Sequence, residues 1–328
     1  MHYDIVTTNN IIIPERLNEF LNYLAVIKGK SNNTVVGYKI DLTMFFRFLY
    51  LNKELCPKGI EFNDIPINKI DDDFIRAIQL PDFYAFLYFV QTQRNNSAYA
   101  RARKVAALRS FFKYLYTKTK ILTVNPTSDL ETPKINKRNP VFLTLEESKH
   151  LLKSVNDTFK HPKRDLCIIT LFLNCGLRLS ELCSINISKM KEDTLFIIGK
   201  GNKERTVYLN KTCLKAITEY MKERSLMKIL DLHKDALFIS EKKCRINKRM
   251  VEKIVAKYIE VASLDKTKYT PHKLRHTAAT LMYKYGNVDI ISLQNILGHE
   301  NVSTTQIYTH VDDEKLRQAI KSNPLNED

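Results

Sequence analysis

Asn125-Pro-Thr-Ser-Asp-Leu-Glu-Thr-Pro-Lys-Ile-Asn-Lys-Arg-Asn-Pro140 divides the chain into two unlike halves. Pro126, Pro133 and Pro140 interrupt a stretch with no apolar periodicity, which resists helix and strand and suits a domain boundary. Before it the pattern is helical. Pro14 opens a face of Leu17, Phe20, Leu21, Leu24 and Ile27, and Gly29 stops it. Ser31 or Asn33 caps a second helix through Tyr38, Leu42, Phe45, Phe46 and Leu49. A third helix is expected from Asp71 to Gln93. A fourth starts near Asn96–Ser97, with Val105, Leu108, Phe112 and Leu115 in one stripe.

After the boundary the pattern is mixed. Thr144-Leu-Glu-Glu147 reads as a capping box, and Arg164–Cys175 as a buried helix stopped by Gly176. Thr194–Gly199 and Glu204–Leu209 alternate as two strands around a turn at Lys200-Gly-Asn-Lys203. Helices follow over Thr212–Met227, Lys248–Ala262, Thr270–Tyr285, Asp289–Leu297 and Ser303–His310. The expected fold is mainly α: a four-helix domain over 1–124, a linker over 125–140, and a mixed α/β domain over 141–328 with a small antiparallel sheet.

The chain has 328 residues, 44% hydrophobic and 27% charged, enough for a core in each domain. Lys and Arg number 52 against 36 acids, a net charge of +16. Such a field attracts polyanions, with nucleic acid ahead of an acidic membrane. The apolar run around Leu166–Cys175 has the length of a buried helix, and no lipidation signal or apolar anchor is present. The polar start, with Asp4, does not read as a secretory signal. Six cysteines lie scattered without a C-x-x-C pair, which suggests reduced thiols in a cytoplasmic protein. Between Ser97 and Lys120 stand seven basic residues and no acid. Arg103, Arg109 and Lys113 fall off the apolar stripe there, as either a solvated face or a surface for phosphates.

Five places in the second half carry chemistry. Arg178, in Gly176-Leu-Arg-Leu-Ser-Glu-Leu182, stands just before a helix start, where free N–H groups and an arginine fork favour an anion. Pairing with Glu181 is its plain structural alternative. Lys200 sits at the hairpin tip, solvated or reaching into a groove. In Thr270-Pro-His-Lys-Leu-Arg-His276, His272 and Arg275 share one helix face. His272 and His276 have metal-like spacing, but Lys273 replaces the glutamate of H-E-x-x-H and Arg275 repels cations. His299 follows the helix stop Leu297-Gly298. Tyr308 is one of 16 tyrosines. Two arginines, a lysine, two histidines and a tyrosine without a carboxylate cluster suit metal-free phosphoryl transfer to a tyrosine. No cofactor is expected.

This arrangement resembles the tyrosine recombinases of the phage-integrase family, and within them the Xer-like enzymes. Arg178, Lys200, His272, Arg275, His299 and Tyr308 match the family's catalytic set in order. Gly176–Leu182, Gly199-Lys-Gly-Asn-Lys-Glu-Arg205 and Leu297-Gly-His299 resemble its signature blocks. The match covers the chain from about Val141, and the helical half is compatible with the family's core-binding domain. The resemblance implies that Tyr308 attacks the scissile phosphate, leaving a 3′-phosphotyrosine and a 5′-hydroxyl. Arg178 and Arg275 then hold the non-bridging oxygens, Lys200 protonates the leaving oxygen, His272 assists proton transfer and His299 supports the phosphate. It further implies double-stranded DNA with two inverted half-sites as substrate and exchange through a Holliday junction. The enzyme would form a homotetramer, or a heterotetramer with a paralogous recombinase, and a septal DNA translocase is a candidate further partner. Chromosome or plasmid dimer resolution is the expected role. A mobile-element integrase is the alternative, although a first helix at Pro14 leaves no room for an arm-binding domain. A type IB topoisomerase shares the chemistry but fits poorly, and a non-catalytic DNA-binding accessory protein would be expected to lack one of these residues.

Overall fold

The structure, a computed structural model, describes residues 12–135, 141–156, 159–199, 204–298 and Thr305. The chain forms two compact units, Met1–Lys137 and Arg138–Asp328.

The first unit is helical: α1 (Glu15–Asn22), α2 (Asn32–Asn52), α3 (Asp72–Arg76), α4 (Leu80–Thr92) and α5 (Ala98–Tyr114). Polar side chains start α2, α3 and α5 where backbone N–H groups lack partners. Ser31 Oγ accepts from Thr34 N, Asp71 Oδ1 from Phe74 N at 2.9 Å, and Ser97 Oγ from Ala100 N. The single helix expected from Asp71 to Gln93 is divided in two. Pro81 lies in the first turn of α4, where its missing N–H costs nothing but could not serve the carbonyl four residues back in a helix continued from α3. Gln79 N donates to Asp82 Oδ2 at 2.9 Å and starts the second helix afresh.

Phenylalanines fill the core of this unit. Phe45 stacks on Phe83 at 5.2 Å, and Phe83 meets Phe112 edge-on at 5.0 Å, geometries that suit ring quadrupoles. The basic run on α5 is less free than its sequence suggests. Lys104 is buried against Asp41 at 3.0 Å, and Arg103 pairs with the same carboxylate. Arg109 donates to Leu130 O and Thr132 Oγ1. Leu130 is itself buried in this core, so the proline-rich segment packs on the first unit through its early residues.

The second unit holds α6 (Leu145–Lys153), α7 (Pro162–Cys175) and α8 (Leu179–Ser184). Three strands follow, β1 (Met190–Lys191), β2 (Thr194–Ile198) and β3 (Glu204–Tyr208), and then α9 (Lys211–Ser225), α10 (Lys248–Val261), α11 (Pro271–Tyr285) and α12 (Ile290–Leu297). Mainly helical with one small antiparallel sheet among the described residues, this is the expected fold class. The sheet order is β1-β2-β3, and β2 and β3 pair from Thr194↔Tyr208 to Ile198↔Glu204. Alternation puts Leu195, Ile197 and Val207 on the buried side. The capping box at α6 forms reciprocally: Thr144 N donates to Glu147 Oε2 at 2.7 Å, and Glu147 N to Thr144 Oγ1 at 3.1 Å. β1 is too short for a periodic signal and was not anticipated.

Helix α7 is buried along nearly its whole length and packs against α9 and α11. Its start is fixed by Asp165, which receives Arg164, Lys257 and the Tyr258 hydroxyl. Its end delivers Gly176 and Arg178 to one corner of the unit. The helix expected over 303–310 lies outside the described residues apart from Thr305.

Candidate active site

Gly176 closes α7 with φ +59°, a backbone region that disfavours side chains. A Cβ there would also come within 2.9 Å of Leu297 Cδ2. The turn therefore brings the end of α7 directly against the end of α12. Gly298 closes α12 in the same way, with φ +64°, and a Cβ there would meet Arg205 Cδ at 2.8 Å.

Between these two turns lies Glu181, whose side chain is only 1% exposed. Arg178 precedes α8 in extended backbone, and its N–H donates to Glu181 Oε2 at 2.7 Å. Its guanidinium donates to Glu181 Oε1 at 2.6 Å and to Gly298 O at 2.5 Å. Arg205 reaches in from β3, donating to Glu181 Oε2 at 2.9 Å and to Ile296 O. Arg275, on α11, donates to Gly176 O and Leu297 O at 2.6 Å each and stands 3.7 Å from Glu181. One carboxylate thus sits among three arginines. The same arginines reach the carbonyls of three consecutive residues at the negative end of α12.

Burial alone would raise the Glu181 carboxyl. The charges of Arg205 and Arg178 and the hydrogen bonds from Arg178 outweigh it, so the carboxyl lies below its ordinary value. The plain reading of Arg178 as a partner of Glu181 holds, but the pair is not a surface one. The cluster keeps an excess of positive charge, and Arg178, with 30% of its side chain exposed, is its open member.

His272 lies in the first turn of α11, one helical turn before His276, and their Nε2 atoms are 3.0 Å apart. Burial against the protein beneath it, then the charges of Arg275, Lys273 and Arg178, hold its imidazole below the usual 6.5. It is neutral at pH 7 and able to take a proton. Protonating it as pH falls below 6.5 disfavours the folded state. In the DNA-free protein, NMR titration of the ring protons, assigned with a His272→Gln variant, should give a midpoint under 6.5. A midpoint above that value would mean that a carboxylate, and not the arginines, governs this ring.

Of the six expected site residues, the structure brings Arg178, His272 and Arg275 into one corner. Lys200, His299 and Tyr308 lie outside the described residues. Arg205 and the buried role of Glu181 were missed, although a signal existed for both. Arg205 is two residues from Val207 on a strand, so it shares the inward parity, and a charge facing inward needs a partner. Glu181 is three residues after Arg178, on the same helix face. Among the described residues no group of three or more His, Cys, Asp or Glu side chains is arranged to hold a metal ion. No helix among them is long and apolar enough to cross a membrane.

The phage integrase family model matches residues 141–315. A tyrosine recombinase XerC from Caldanaerobacter subterraneus subsp. tengcongensis is 54% identical over 315 residues, covering 96% of this chain and 88% of the relative. A tyrosine recombinase XerD from Listeria monocytogenes serovar 1/2a is 32% identical, covering 93% of this chain and 97% of the relative. Among solved structures, a XerH site-specific recombinase bound to a palindromic difH substrate superposes with TM-score 0.68 at 23% identity, covering 94% of each chain. The chain belongs to the phage integrase family. Within it, the chain is a Xer-type tyrosine recombinase, an enzyme of site-specific recombination that cleaves and rejoins DNA.

Proposed function

We propose that this enzyme resolves chromosome or plasmid dimers, cutting each strand through a 3′-phosphotyrosyl bond to Tyr308. The observation that carries the reading is the joint anchoring of Arg178 and Arg275 around Glu181 and the end of α12. Two arginines fixed in this way offer prearranged positive charge to a phosphoryl transition state. The phenolic oxygen of Tyr308 attacks phosphorus while its proton passes to His272. The bond to the 5′-oxygen breaks, and that oxygen takes a proton from Lys200. Arg178 and Arg275 serve the non-bridging oxygens, and His299 supports the phosphate. The 5′-hydroxyl of a partner duplex then reverses the step, and two rounds through a Holliday junction exchange the strands.

The substrate is double-stranded DNA with two inverted half-sites, bound in the cytoplasm by four recombinase subunits. These are copies of this chain or this chain with a paralogue, and a septal DNA translocase is the candidate activator. The high identity to a XerC over nearly the whole chain supports the resolution role over a mobile-element one. The net charge of +16 supports the DNA partner.

The phosphoryl charge is met by arginines, so cleavage needs no added metal, and a phosphotyrosine conserves the bond energy, so it needs no ATP. Incubation with a nicked suicide duplex in EDTA, without ATP, should give a protein–DNA adduct on a denaturing gel at an undiminished rate. Strict dependence on added magnesium would sink the mechanism.

A further inference from the structure

Arg178 and Arg275 have roles in the proposed chemistry; Arg205, the third arginine on Glu181, has none. It is no surface residue, since only 13% of its side chain is exposed. From β3 its guanidinium spans two elements, donating to Glu181 Oε2 on α8 and to Ile296 O in the last turn of α12. Its stem lies against Gly298, where a Cβ would come within 2.8 Å of Cδ and 3.0 Å of Nε. Arg205 Nε, buried, has no hydrogen-bond partner among the described residues. Such a donor is costly to leave unmatched, so surface solubility is a poor explanation for an arginine here. β3 pairs with β2, the segment between them in the chain contains Lys200, and Gly298 immediately precedes His299 in the chain.

We propose that Arg205 is a positioning residue, which locks the β2–β3 hairpin and the Gly298 turn in one register against the Glu181 cluster. The side chain type follows from the geometry. A planar fork reaches a carboxylate oxygen and a helix-end carbonyl together, which a single ammonium does less well. Gly298 complements it, because at φ +64° a Cβ there would press on the arginine stem at 2.8 Å and force it to shift. Arg205 thereby ties the chain segments that lead to Lys200 and to His299 to a single buried carboxylate. It acts through those residues and not on the phosphate. This inference rests on the catalytic assignment proposed above.

The test compares Arg205→Lys and Arg205→Ala with the parent in the full-length enzyme. It reads gel-shift affinity for a half-site, the single-turnover rate of adduct formation on a nicked suicide duplex, and thermal unfolding. Misplacement of reacting groups by about 1 Å costs on the order of 100-fold. Arg205→Lys is therefore expected to hold half-site DNA as the parent does and to form adduct between about 10-fold and 100-fold more slowly. A rate in Arg205→Ala that rises with added guanidinium, at non-denaturing concentration, and not with ammonium supports the fork. Should Arg205→Ala fail to fold, the lysine variant decides. Arg205→Lys cleaving at the parental rate overturns the inference, as does a fall of half-site affinity in step with cleavage. Failure of the catalytic assignment looks different: the parent itself forms no adduct, or Tyr308→Phe still forms one.

Discussion

Tyr308→Phe is expected to bind target DNA with parental affinity and to form no covalent adduct at all. The change removes one oxygen and leaves the ring, so the fold and the positive surface that meets DNA are untouched. What disappears is the only protein atom in the proposed scheme that bonds to phosphorus. No neighbouring group replaces it within that scheme, because Arg178 and Arg275 cannot act as nucleophiles while charged. The measurement is a denaturing gel after incubation with a nicked suicide duplex, beside a native gel shift on the same DNA. A shifted covalent band from the Phe variant would transfer the chemistry to another residue.

Glu181→Gln should cause the largest combined loss of stability and rate among residues outside the proposed catalytic set. The carboxylate is buried and sits between Arg178, Arg205 and the nearly inaccessible Arg275. A glutamine keeps the shape but leaves their charges uncompensated, and breaking a buried pair in this way costs about 3–5 kcal/mol. The loss should appear as a lower thermal midpoint and lower resistance to denaturant. The rate of adduct formation should fall on the order of 100-fold, because the arginines no longer share a fixed centre. A pH series separates this from general damage. The Glu181 carboxyl lies below its ordinary value of 4.5 in the folded state. Its contribution is therefore complete above 4.5 and is lost as pH falls through the lower folded value. The stability gap between parent and variant should be constant near neutrality and narrow on acidification. A variant that melts and cleaves like the parent would show that the arginines need no counter-charge.

The two predictions differ in what supports them. The role of Tyr308 rests on its place in an ordered set of motifs, whereas that of Glu181 rests on distances. Both belong to the proposed scheme, in which a nucleophile late in the chain is served by charges that earlier elements hold fixed. His272 fits the same scheme, since burial first, and then the charges of Arg275, Lys273 and Arg178, hold its imidazole below the usual 6.5.

The sequence alone determined most elements among the described residues and the order in which the motif residues stand. Apolar periodicity placed the helices and the two longer strands, because burying one face of a helix or strand imposes a local period of 3.6 or 2. Gly176 and Gly298 were legible as helix stops, since a left-handed backbone is a local property. Local signals also failed in defined places. The apolar pattern of Asp71–Gln93 is that of one helix, but Pro81 and the cap at Gln79 divide it, and β1 leaves no trace in two residues. Only the tertiary structure decided what the arginines do. Arg103 and Arg109 read in the sequence as either a solvated face or a face for phosphates, and the fold gives them Asp41 and Leu130 as partners far away in the sequence. Arg205 looked like one more strand residue, yet it joins α8 to α12. Glu181 looked like a surface partner of Arg178, yet it is the buried centre of the cluster. The physical reason is common to all four. A charge acts through its desolvation and its partners, and packing of distant segments sets both.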